Sequence, residues 1–131
     1  MAELNVAIYS CEEEDVPHWC LYTVDDDGDG RVFEALGSTG HKFRYHTRDV
    51  NIAKSATHSE NVEIGRIEAD VWPEVPDLLK AVPISKKQGW NCQNWVMEAI
   101  AALEKKGYLE RNEGGMSRIE SKYQKKWKDV K

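Results

Sequence analysis

The chain is short of the residues that mark specialised classes. Its three cysteines, Cys11, Cys20 and Cys92, are odd in number and never stand as C-x-x-C. That excludes a disulfide framework as the organising device and leaves no zinc-type cysteine pair. No apolar run approaches the roughly 20 residues that a membrane-spanning helix needs. The opening MAELNVAIYSCEEED has neither a basic n-region nor a long apolar stretch, so it does not read as a secretion signal. A cytoplasmic setting is the expectation, and in a reducing compartment three thiols leave room for one reactive and two buried. Positive charge is also in deficit, 18 Lys and Arg against 23 Asp and Glu for a net charge of −5. A nucleic-acid binder should carry the opposite balance. The basic ending KKWKDVK is a single short run, which usually forms a solvated helix face.

There is no repeat, low-complexity tract or linker, and 131 residues suit one domain. Leu4–Ser10 alternates as a strand, followed by an acidic loop. His18–Val24, HWCLYTV, is rich in aromatic and β-branched residues and reads as a second strand. Arg31–Gly37 is its return across the turn DDDGDG. Lys42–His46 and Asn61–Ala69 supply two further strand candidates. Prolines at 73, 76 and 83 allow only a short helix between Pro76 and Val82. Cys92–Lys106 is the clearest helix. Asn91 suits its N-cap. Trp95, Val96, Ala99, Ile100 and Leu103 form one apolar stripe. Gly107 fits the left-handed position past its end, letting Tyr108 and Leu109 fold back. A last helix near Ser117–Asp129 would dock through Ile119, Tyr123 and Trp127. Strands first and helices last predict an α+β domain, an antiparallel sheet packed against the cysteine-bearing helix, plus a C-terminal helix.

Cys92 falls in the first turn of its helix, where free N–H groups and the helix dipole favour a thiolate and can hold an oxyanion. A small hydrophobe at the top of a core helix fits the same position, since cysteine is commonly buried. Catalysis would also need a base. Alternation puts His18, Cys20 and Tyr22 on one face of their strand and Trp19, Leu21 and Thr23 on the other. His18, at the strand's start, is the histidine placed to meet a helix N-terminus. His41, His46 and His58 read as surface residues.

HWCLYTV and RVFEALG, followed much later by NCQNWV, resemble the circularly permuted papain-like group of the NlpC/P60 superfamily. That group includes lecithin retinol acyltransferase-like and PPPDE-like proteins and small fungal proteins of similar pattern. In it a histidine on an early strand precedes a cysteine that opens a helix, often as Asn-Cys with an aromatic a few places on. Here His18, Asn91, Cys92 and Trp95 match, over roughly His18 to Leu109. The resemblance implies a permuted papain-like core and Cys–His hydrolase or acyl-transfer chemistry on an amide, peptide or thioester bond. It implies Cys92 as nucleophile and His18 as base. The group often carries a second polar residue, commonly His, on the next strand. Glu34 stands nearest that place, and a carboxylate there would fix the tautomer of His18 as in a triad. Hairpin register decides whether Glu34 faces His18 or solvent, because one slip flips it. The backbone N–H groups of Cys92 and Gln93 would hold the oxyanion, with side-chain donors from Gln93 and Asn94. Asn91 and Trp90 would flank the substrate. The alternative is an inactive member of the same fold serving as a protein- or small-molecule-binding module.

DDDGDG begins like an EF-hand loop from Asp25, but the twelfth position, which should be a bidentate Glu, is Leu36. A solvated turn is the expectation. GSTGHK lacks the spacing of a phosphate loop. No metal, cofactor or nucleic acid is therefore expected. The expected partner is a small-molecule or peptide substrate.

Overall fold

Six strands carry the architecture in the computed structural model, which describes residues 2–9, 18–36, 43–49, 58–85 and 90–123. They are β1 (Ala2–Tyr9), β2 (His18–Val24), β3 (Gly30–Leu36), β4 (Arg44–Asp49), β5 (His58–Ile67) and β6 (Leu109–Arg111). All pairings are antiparallel, in the order β4-β3-β2-β1-β5-β6. After a 3-10 turn at Trp72–Glu74 come helices α1 (Val75–Lys80), α2 (Cys92–Lys105) and α3 (Glu113–Lys122). The class is α+β, as the order of elements implies. Among the described residues no helix is long and apolar enough to cross a membrane.

Strand alternation sorts the sheet into two faces. Leu4, Val6 and Ile8 of β1, Trp19 and Leu21 of β2, Phe33 and Ala35 of β3, and Val62 and Ile64 of β5 turn toward the helices. There they join the stripe of α2, Trp95, Val96, Ala99, Ile100 and Leu103, in one buried core. The opposite face carries a smaller cluster of Ala7, Cys20 and Val32 flanked by Tyr9 and Tyr22.

α2 ends as its sequence requires. Gly107, at φ +75°, lets its N–H reach Glu104 O and the Tyr108 N–H reach Leu103 O, both at 3.0 Å. This is the paired closure of a Schellman motif. Two features depart from expectation. The chain after α2 forms β6, pairing Leu109 with Ile67 and Arg111 with Gly65. α3 starts at Glu113, four residues before the expected Ser117, because Asn112 caps it by accepting from Gly115 N at 3.1 Å. Gly115 is the point of closest approach to the sheet, where a Cβ would fall 1.7 Å from Glu63 O. Any side chain there would lift α3 off β5. Met116 and Ile119 are buried beneath it; Trp127 lies outside the described residues.

Candidate active site

β2 and β3 pair only from Val24↔Gly30 to Leu21↔Phe33. Toward His18, β2 keeps its β1 partners, with Ile8↔Trp19 and Tyr9↔His18. On the β3 side the Trp19 N–H instead donates to Cys92 Sγ at 3.5 Å. Ladder N–H groups lie in the plane of a sheet, so the sulfur sits at sheet level, in the gap where the two strands part. A side chain on the face opposite the described helices can therefore reach it.

His18 does so. Its imidazole stands close enough to the Cys92 side chain for that group to raise its proton affinity, and its Nε2 meets Glu34 Oε1 at 2.8 Å. His18 is 28% exposed, whereas the Glu34 side chain is only 4% exposed. The other Glu34 oxygen, Oε2, meets His46 Nδ1 at 3.0 Å, and Arg48 Nε lies 3.8 Å from it. Tyr9 stands over His18, ring centres 5.9 Å apart.

The electrostatics follow from these contacts. Burial alone would push the His18 pKa down. Hydrogen bonds to Cys92 and to Glu34, with the charges of both, outweigh burial and raise it to about 10. Burial would likewise push the Glu34 carboxyl up, but His18, His46 and Arg48 hold it below its usual value. Cys20 lies two residues along β2 and is fully buried. Burial first, then the charges of Glu34 and Cys92, push its thiol well above the ordinary range.

The head of α2 is held by a capping box. Asn91 Oδ1 accepts from Gln93 N at 2.9 Å, and Asn94 Oδ1 accepts from Asn91 N at 3.0 Å. Asn94 Nδ2 donates to Tyr123 OH at 2.7 Å. The expected second row of the site is thus largely committed elsewhere. The Gln93 N–H serves the cap and its side chain is fully buried. Asn91 is the cap itself. Trp90 donates Nε1 to Glu98 Oε2 at 2.7 Å and packs edge-on against Phe43. Trp95 lies in the core beside Tyr45, its Nε1 without a partner among the described residues.

Of the other histidines, His46 is not a bystander on the surface. β4 continues to Asp49, and its register sets His46 opposite Glu34. Alternation in RYHTRD, which puts His46 and Arg48 on one face, was the available signal. His41 and Cys11 lie outside the described residues, as does the stretch Gly37–Lys42. The acidic turn closes on itself: Asp25 Oδ1 accepts from Asp27 N at 3.0 Å and Asp29 N at 2.9 Å. Carboxylate oxygens of Asp25, Asp27 and Asp29 lie within 4.8 Å of one another, on a hairpin turn between β2 and β3 rather than between helices.

A protein-family model described as a family of unknown function (DUF6540) matches residues 4–110, a span containing His18, Glu34 and Cys92. No curated protein matches, and no solved structure matches.

Proposed function

The chain belongs to the DUF6540 family, and we propose that it is a small cysteine-dependent hydrolase or acyltransferase with a permuted papain-like core, acting on an amide, peptide or thioester carbonyl. The observation that carries this is the gathering of Cys92, His18 and Glu34 from a helix head and two strands: Glu34 is bonded to His18, and the Cys92 sulfur is held on the backbone of the neighbouring Trp19.

Glu34 fixes the His18 ring through Nε2, leaving Nδ1 for the sulfur. The raised proton affinity of His18 suits it to take the proton of Cys92 as the sulfur attacks. The thiolate attacks the substrate carbonyl carbon, forming the C–S bond as the C=O electron pair moves onto oxygen. With the Gln93 N–H committed to the cap, the first-turn N–H of Cys92 is the donor for that oxyanion. On collapse, His18 gives its proton to the leaving amine or thiol, and a thioester remains. His18, now neutral, takes a proton from water or an acceptor nucleophile, which attacks the thioester and returns the thiolate. Because leaving-group protonation needs the imidazolium, activity should fall as pH rises through about 10.

The 7% exposure of Cys92 favours one alternative, a non-catalytic binding module of the same fold. Activity-based labelling decides between them. The wild type is expected to react with iodoacetamide and acyl probes at Cys92 well below pH 8. Cys92→Ala should lose labelling and His18→Ala should slow it. A wild type in which Cys92 labels no faster than Cys20 leaves the binding module standing and removes the enzyme.

A further inference from the structure

We propose that His46 is a positioning residue of this site: it anchors the second oxygen of Glu34 and, through that carboxylate, sets the ring of His18. The inference rests on the Cys–His reading above but is separable from it. Glu34 and His46 are direct cross-strand partners, so their side chains stand side by side on the face opposite the described helices. Glu34 Oε1 reaches β2 through His18 at 2.8 Å, and Oε2 reaches β4 through His46 at 3.0 Å. A carboxylate held at both oxygens, from two different strands, cannot turn about its last bond without losing one partner. Held only by His18, it could swing and take the ring with it.

Arg48 does not replace His46. Arg48 Nε is 3.8 Å from Oε2, on a side chain 52% exposed. It contributes charge but is too distant to set direction. Glu34 is 4% exposed while His46 covers it, and water admitted by loss of that imidazole has no fixed direction of its own. The carboxylate would then turn or take up a proton, and either loosens its bond to His18. Among the described residues, the charged and titratable groups facing this relay are Glu34 from β3, Arg48 from β4, Cys20 from β2, Cys92 from α2 and Tyr9 from β1. His46 is 34% exposed on the outermost strand in the order, so its truncation leaves no core cavity.

The test compares full-length wild type with His46→Ala, His46→Asn and His46→Gln. The Asn amide nitrogen can stand where Nδ1 stands, whereas that of Gln cannot without displacing the carboxylate. Imidazole NMR titration follows His18 directly, and iodoacetamide labelling follows Cys92. His46→Ala should lower the His18 titration midpoint and slow Cys92 labelling on the order of 10–100-fold, as loss of an orienting partner typically does. His46→Asn should restore both to within a few-fold, and His46→Gln should not. If His46→Ala fails to fold, the Asn and Gln variants carry the comparison. A His18 midpoint unmoved in His46→Ala, or rescue by Gln as complete as by Asn, overturns the proposal. A His18 that shifts beside a wild-type Cys92 no more reactive than Cys20 overturns the enzyme and keeps the relay.

Discussion

The two faces of this sheet are written by the same strands yet differ in kind. β2 gives Trp19 and Leu21 to the helix side and His18 and Cys20 to the other. The helix side is continuous, apolar and nearly inaccessible. The opposite side gathers His18, Glu34, His46 and Arg48. The difference shows how a small domain separates an apolar core from a polar cluster: the period of two assigns alternate residues to each, and packing on one face locks the register of the other.

The largest effects should come from the helix side. Trp95→Ala and Phe33→Ala each remove a fully buried aromatic and should cost about 3–5 kcal/mol in urea unfolding. An equal loss from Tyr22→Ala, half-buried on the other face, would erase the distinction. Next is the contrast between two thiols. At neutral pH Cys92 should be alkylated on the order of 100-fold faster than Cys20, as a thiolate against an inert buried thiol, read by peptide mass mapping. Equal rates would break the link between position and reactivity.

Glu34→Gln should come third, removing charge-assisted hydrogen bonds at a cost of about 1.5–3 kcal/mol at neutral pH. The native carboxyl titrates below its ordinary 4.5. Its contribution is therefore complete above about that pH and is lost as pH falls through the lowered native value. Thermal melts of the wild type should steepen their decline in that acid range, and those of Glu34→Gln should not. Asn91→Ala, which removes only the cap, should cost about 1 kcal/mol, with a disproportionate slowing of Cys92 labelling if the head of α2 shifts.

Elements with local signals were legible in the sequence. The stripe, cap and closing glycine of α2 are contained in 17 residues from Asn91 to Gly107, and the facing of His18 follows from alternation within one strand. What depended on partners distant in the chain was not. Whether Glu34 faces His18 is set by how β2 and β3 splay beyond Leu21↔Phe33. The place of His46 is set by the pairing of β4 with β3, which runs on to Arg31↔Asp49, three residues past the expected end of that strand. β6, only three residues long, exists through its match to β5. A first-turn N–H can serve either a cap or an oxyanion, and sequence alone does not say that the Gln93 N–H bonds the Asn91 side chain.

Asn94 links parts of the molecule that the family match separates. One end of its amide caps α2, and the other binds Tyr123, a residue beyond the matched span of 4–110. Tyr123 also lies against Trp19, whose N–H holds the sulfur. Tyr123 is thus a brace on the head of α2: a single residue outside the matched span steadies both the cap of the helix and the strand residue that holds its first side chain.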